Sequence, residues 1–146
     1  MRPHVREQRR PRGILDTSVV IELERIDPVD LPIEIAVSAV TLAELAAGPH
    51  ATSDPAERAS RQDRLQRAEA TFVPLPVDGS VARAYGRVYA AVAAAGRKAR
   101  GRRALDLLIA ATALASGLPL YTRNPADFAE LVGLIEIVSV EPSRGA

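Results

Sequence analysis

The chain contains no cysteine, which excludes both a disulfide framework and a thiolate metal site. Any bound metal must therefore be held by oxygen or histidine, and oxygen is favoured because His4 and His50 are the only histidines. Aromatic residues are also scarce, at 3% of the chain, and tryptophan is absent. Such a composition argues against an extensive platform on which nucleic-acid bases could stack.

The sequence also lacks long apolar runs. No segment approaches the ~20 apolar residues that a transmembrane helix needs, and no signal-peptide pattern follows the arginine-rich start. We therefore expect a cytoplasmic protein that makes no contact with a membrane.

The length and composition indicate one domain. At 146 residues and 47% hydrophobic content, the chain is large enough to bury a sufficient core. We expect the domain at residues 13–140, preceded by an arginine-rich extension at 1–12 and followed by a flexible end at 141–146. The extension is either disordered or a phosphate-contacting arm.

Short β-rich runs alternate with longer helical segments along the chain. The predicted strands are residues 13–15, 35–38, 71–75, 118–121 and 135–138. The predicted helices are residues 17–25, 41–47, 55–70, 80–95, 104–116 and 125–131. This alternation is typical of an α/β fold in which helices cover both faces of a parallel sheet.

The formal net charge of +1 conceals two basic clusters. One lies within residues 2–12. The other surrounds two glycines in an expected connection between helices, and its members are Arg97, Lys98, Arg100, Arg102 and Arg103. Each cluster either contacts phosphates or is only a solvated segment, and both interpretations stay open at this point.

Two acidic residues follow predicted strands. Asp16 comes directly after the first strand, at the edge of the sheet where sites assemble in α/β proteins. It also suits the N-cap of the next helix. Glu44 follows the second strand, and its spacing from Thr41 also fits a capping box.

Two further acids lie in predicted helices. Asp106 interrupts an apolar helix, so its carboxylate needs a partner, a metal ion or water. Asp127 follows Asn124 and a proline, a pattern typical of a helix start. Because Asp54 and Glu57 repeat that pattern and we assign them no chemistry, the local pattern does not by itself make Asp127 functional.

The four acids indicate a chemical function only when they are considered together. Carboxylates that converge in one cleft repel each other and take up protons unless a cation is present. Oxygen ligands of this kind suit Mg²⁺ or Mn²⁺, ions that activate water and stabilise charge during phosphodiester hydrolysis. The set therefore predicts metal-assisted cleavage of a phosphodiester.

Four segments resemble the signatures of PIN-domain ribonucleases, in particular of the VapC toxins of type II VapBC toxin–antitoxin systems. They occur in the order of that family, within a stretch from Gly13 to about Val140. The segments are ILDTS at 14–18, SAVTLAEL at 38–45, DLLIAATA at 106–113 and LYTRNPADF at 120–128. The arginine-rich stretch before Gly13 departs from the family pattern.

The resemblance implies a PIN-like three-layer sandwich around a five-stranded parallel sheet of order 3-2-1-4-5. Asp16 and Asn124 should then meet where the strand order reverses. The implied ligands of Mg²⁺ or Mn²⁺ are Asp16, Glu44, Asp106 and Asp127. The implied helpers in positioning metal or water are Asn124, Thr17 and Ser18.

The resemblance also implies partners. These are an RNA substrate, a second copy of the chain and a cognate VapB-type antitoxin. The helix over residues 81–95, which carries Tyr85 and Tyr89, either packs in the core or provides part of such a protein surface. The residues that we expect to contact RNA are Arg97, Lys98, Arg100, Arg102, Arg103 and Arg123.

Two other interpretations stay open. A PIN fold without catalysis could act only as an RNA- or protein-binding module, although the presence of all four acids favours an enzyme. A receiver-type signalling domain could use Asp78 as phosphoacceptor. That class needs an acidic pair after the first strand and a late lysine, whereas Asp16 stands alone and Lys98 is the only lysine.

Overall fold

Four short strands form the centre of the computed structural model, which describes residues 9–143. They are β1 (Arg12–Leu15), β2 (Glu34–Val37), β3 (Leu120–Thr122) and β4 (Ile137–Ser139). All pairings are parallel, and the strand order is β2-β1-β3-β4. The expected α/β class is confirmed, as is the expected adjacency of the first strand and the strand that precedes Asn124.

Helices occupy most of the connections between these strands. They are α1 (Thr17–Ile21), α2 (Ala39–Ala47), α3 (Pro55–Thr71), α4 (Gly79–Ala94) and α5 (Arg102–Ser116). Short 3₁₀ segments lie at Leu23–Arg25, Pro28–Asp30, Gly48–Ala51 and Pro125–Leu131. Within the described residues, no helix is long and apolar enough to span a bilayer.

The expectation of five strands was wrong, because the described chain pairs only four. Helix α3 continues through Thr71, so the first residue of the predicted third strand is helical. What remains is one isolated parallel bridge between Leu75 and Ser38. Leu75 lies between Pro74 and Pro76, and proline has no N–H with which to extend a ladder. The bridge nevertheless stands beside β2, where the third strand was expected.

The sheet separates two hydrophobic cores. Consecutive strand residues point to opposite faces, so Ile14 and Leu120 join the core under α4 and α5, whereas Leu15 and Tyr121 join the core with α1. Gly13 allows the Tyr121 ring to pack against β1, because a Cβ at Gly13 would lie 2.4 Å from the ring. Helices on both faces thus bury the central strands.

Both ends of the described segment, residues 9–143, contact the domain. Arg9 donates from Nε to the carbonyl of Leu31 at 2.7 Å. The N–H of Ser143 donates to the carbonyl of Arg25 at 2.7 Å. The remaining parts of the expected extension and C-terminal end, residues 1–8 and 144–146, lie outside the described residues.

Candidate active site

A cleft of about 870 Å³ opens at the edge of the sheet where the strands end. All four acids singled out in the sequence line it. Asp16 follows β1, Glu44 lies on α2 after β2, Asp106 lies on α5, and Asp127 lies in the 3₁₀ segment after β3. The topology therefore brings together carboxylates that are far apart in sequence.

Asp16 is buried, with 4% of its surface exposed, and caps α1. Its Oδ1 accepts hydrogen bonds from the N–H of Val19 at 3.2 Å and from the hydroxyl of Ser18 at 2.5 Å. Burial raises the pKa of Asp16, while hydrogen bonds from Ser18, Thr122 and backbone N–H groups oppose that rise. The expected N-cap interpretation is confirmed, and the same carboxylate lines the cleft.

The capping-box interpretation of Glu44 was wrong. Helix α2 begins two residues earlier than expected, at Ala39, and Ser38 caps it through the N–H of Val40 at 3.0 Å. Glu44 consequently lies in the middle of the helix. Its Oε1 accepts a hydrogen bond of 2.6 Å from the hydroxyl of Thr17, so the turn after β1 orients this carboxylate toward the cleft.

Asp106 is partly buried among the other acids. Burial raises its pKa to about 6, with further contributions from the negative charges of Glu44, Asp16 and Asp127. The positive charge of Arg103 acts in the opposite direction. Asp106 therefore experiences the combined negative field of the cleft.

Asn124 and Asp127 complete the wall that follows β3. Asn124 stands at the N-cap position, but within residues 9–143 its side chain makes no capping hydrogen bond. Its N–H donates to the hydroxyl of Thr122 at 3.0 Å. The neighbouring Arg123 N–H donates to the Ser18 hydroxyl at 3.2 Å, which links this wall to Asp16 across the two central strands.

These side chains offer only oxygen ligands, which suit Mg²⁺ or Mn²⁺. In the part of the chain that the structure describes, no three Asp, Glu or His side chains lie close enough to hold one metal ion. Burial nevertheless raises the pKa of Asp106 most, and the negative charges of the other three acids raise it further, a penalty that a divalent cation would reduce. The donor chemistry and the electrostatics both fit such an ion.

The six basic residues expected to contact RNA are placed differently from one another. Arg102 lines the cleft, whereas the other five do not. Arg97 and Arg103 turn toward Glu130, with nitrogen–oxygen distances of 3.2 and 2.8 Å. Arg123 lies 3.6 Å from the carboxylate of Glu22. The two remaining members, Lys98 and Arg100, are exposed outside the cleft.

Arg103 departs most clearly from the expected RNA contact. Its guanidinium also donates to the carbonyl of Asp127, and its side chain is only 15% exposed. Its partner Glu130 is 8% exposed. Arg103 therefore joins the helix of Asp106 to the segment of Asp127 instead of facing solvent.

Sequence reasoning missed three residues that line the opposite wall, namely Glu57, Arg61 and Arg64. All three lie on α3, and Glu57 had been assigned no chemistry. Their spacing of four and then three residues places them on one face of the helix. That spacing was a detectable signal, but a polar helix face is ordinarily only solvated.

The comparisons with known proteins agree with this architecture. The family model described as PIN domain matches residues 14–134. Ribonuclease VapC5 of Mycobacterium tuberculosis is 39% identical over 133 residues, which cover 88% of this chain and 95% of the relative. Ribonuclease VapC8 of the same species is 40% identical over 102 residues, covering 69% and 89% respectively.

Solved structures give the same result. The crystal structure of VapBC-5 from Mycobacterium tuberculosis matches with a TM-score of 0.77 and 39% identity, over 89% of this chain and 99% of the other. FitAcB from Neisseria gonorrhoeae matches with a TM-score of 0.68 and 27% identity, over 86% and 96%.

The fold and the site define the class of this molecule. It is a parallel α/β domain with an acidic cleft at the carboxyl ends of its strands. The chain belongs to the PIN-domain family and, within it, to the VapC ribonucleases, which confirms the expected resemblance.

Proposed function

We propose that this protein is the toxin of a type II toxin–antitoxin pair and acts as an Mg²⁺- or Mn²⁺-dependent endoribonuclease. The observation that carries the proposal is the cleft lining itself, in which Asp106 lies with three other acids, namely Asp16, Glu44 and Asp127. Such an arrangement penalises its own ionisation unless a cation binds. In a member of the VapC ribonucleases, an acidic cleft of this kind is best explained by metal-dependent RNA hydrolysis.

The ligands of the metal would come from these four carboxylates, which would have to draw closer together around the ion. When bound, a divalent cation supplies activation of water and stabilisation of negative charge at the scissile phosphate. The hydroxyl of Thr17 orients Glu44, and the hydroxyl of Ser18 orients Asp16. Asn124, at the end of the neighbouring strand, presents an amide to the same cleft.

The partners follow from the relatives. Because matched structures are VapBC toxin–antitoxin complexes, we propose that a VapB-type antitoxin neutralises this chain. We also propose a homodimer, for which α4 offers the half-exposed Tyr89 beside Tyr85. We further propose that the protein acts in the cytoplasm, where its RNA substrate is found. Light scattering of the purified chain and co-purification with the product of the adjacent gene test the homodimer and the antitoxin pairing.

Cleavage of a single-stranded RNA by the purified protein tests the function. We expect cleavage with Mg²⁺ or Mn²⁺, none with EDTA, and none by folded Asp16→Asn or Asp106→Asn variants. RNA binding without metal-dependent cleavage would instead favour a catalytically silent PIN module. Cleavage that both variants retain would overturn the assigned site.

A further inference from the structure

The cleft poses an electrostatic problem for the proposed substrate. Four carboxylates surround the reaction centre, and Glu57 adds a fifth acidic side chain to the lining. RNA is a polyanion, so phosphates can enter only where cationic groups offset that field. The basic loop that the sequence suggested supplies just one lining residue, Arg102.

Helix α3 carries the other arginines of the lining. Its sequence places arginine at every third position from 58 to 67, and two of these four residues, Arg61 and Arg64, line the cleft. Helix α2 packs between α3 and α5, so α3 and Arg102 lie on separate walls. The cleft therefore has a basic group on each side of the carboxylates.

Arg61 is already engaged within the protein. Its Nε donates to Glu57 at 3.0 Å, and its Nη1 donates to the carbonyl of Gly48 at 2.9 Å. These bonds neutralise Glu57 and anchor α3 to the Gly48–Ala51 segment. Arg61 thus has its charge paired with Glu57 and two of its roughly five N–H donors in use, so it offers less to an external anion than an unpaired arginine.

Arg64 differs from the other three arginines of α3. Arg58 donates to the carbonyls of Pro49 and Thr52, and Arg67 pairs with Glu24 at 3.3 Å. Arg64 is half-buried in the cleft wall and has no hydrogen-bond or ion-pair partner among residues 9–143. Its guanidinium is therefore positioned to bind an anion from solvent.

We propose that Arg64 binds a backbone phosphate of the RNA on the α3 side of the carboxylates, while Arg102 does so on the α5 side. This assignment rests on the proposed ribonuclease function and adds a second wall to its substrate site. Arg102 precedes Asp106 by one helical turn, so a strand that contacts both arginines passes directly over the acids.

Binding measurements in an Asp106→Asn background test the assignment without cleavage. We expect Arg64→Ala to weaken binding of a single-stranded RNA oligonucleotide roughly tenfold at low salt, since charge-assisted bonds are lost. The slope of log affinity against log salt should fall by about 0.7, the value for one phosphate contact. Combining Arg64→Ala with Arg102→Ala should lower the slope by about 1.4.

Arg67→Ala is the matched control, because Arg67 lies on the same helix but pairs with Glu24 outside the cleft. It should leave both affinity and slope unchanged, and Arg64→Lys should restore the slope because it keeps the charge. The control for folding is that the Arg64→Ala variant keeps the circular dichroism and melting temperature of its parent. If such a variant also keeps the RNA affinity and the salt slope, the assignment of Arg64 is overturned, whereas the proposed function still stands. If the Asp106→Asn parent binds no RNA and the wild-type chain cleaves none, the proposed function fails and the assignment falls with it.

Discussion

Arg103 and Glu130 form a buried ion pair, with 2.8 Å between Nη2 and Oε1, and this pair fixes one side of the acidic cleft. Arg103 lies on α5 near Asp106, and Glu130 belongs to the segment that carries Asp127. Within the described chain, Nε of Arg103 and Oε2 of Glu130 are buried without a hydrogen-bond partner. The pair thus positions two acids at the expense of incomplete hydrogen bonding.

Breaking this pair should be costly. Glu130→Ala leaves a buried guanidinium without its carboxylate, and we expect a loss of about 3 kcal/mol in the free energy of unfolding, measured with urea. Glu24→Ala, which breaks the exposed pair with Arg67, should cost less than about 1 kcal/mol. Arg103→Met with Glu130→Leu should recover most of the loss. Equal losses for the buried and exposed pairs would contradict this view.

Asp106 should make the stability of the metal-free protein depend on pH. Its folded pKa of about 6 exceeds the ordinary value of 3.8, so the folded state binds the proton more tightly than the unfolded state. Its contribution to stability is therefore lost as pH rises from about 4 to 6. In EDTA, Asp106→Asn should raise the melting temperature at pH 8 but much less at pH 4. A lower melting temperature at pH 8 would show that ionisation of this carboxylate does not reduce the stability of the folded state.

Divalent cations should stabilise the folded chain. A ligand that binds only the folded state raises stability with the logarithm of its concentration above the Kd. We expect the melting temperature to increase progressively with Mn²⁺, and the increase to disappear in Asp16→Asn. The Asp54→Asn variant, altered at a helix cap outside the cleft, should keep the increase. A wild-type melting temperature that does not respond to Mn²⁺ or Mg²⁺ would argue against a metal site.

The hydroxyl of Thr17 should matter chiefly by orienting Glu44, although it also lies 3.1 Å from the hydroxyl of Thr41. Thr17→Val removes the 2.6 Å hydrogen bond while keeping the shape of the side chain, so Glu44 loses its fixed orientation. Partners that orient ligands in this way change metal affinity or activity by about 10–100-fold. We expect that loss in RNA cleavage and in Mn²⁺ binding measured by calorimetry, whereas Thr17→Ser should retain both. Equal behaviour of the two variants would dismiss the orienting role.

Local sequence patterns predicted the features that depend on neighbouring residues. The apolar run before Asp16 predicted a central strand with a carboxylate at its end, and the fold confirms that placement. The pattern failed for Leu75, because the flanking prolines permit a bridge but not a strand. The hydrophobic pattern alone does not take into account the backbone N–H groups that Pro74 and Pro76 lack.

Long-range partners explain the other differences. The sequence predicts that Arg103 contacts RNA from a basic loop, since nothing nearby indicates that Glu130, 27 residues later, binds it. Arg64 lies on a helix whose sequence is predominantly polar, and only the packing of α3 beside α2 places it in the cleft wall. Tertiary contacts, which local patterns do not encode, therefore decide which arginines can reach a substrate.

The position of β1 in the sheet has a consequence for biosynthesis. This strand is made first, yet Ile14 pairs with Leu120 of β3, and Asn124 and Asp127 follow β3. A nascent chain that ends before β3 holds Asp16 and Glu44 but neither the neighbouring strand nor the last acid. The cleft can therefore assemble only after β3 and the segment that carries Asp127 have been synthesised. A ribonuclease of this topology thus has no complete site in any nascent chain that ends before β3, because the two halves of the site come from distant parts of the sequence.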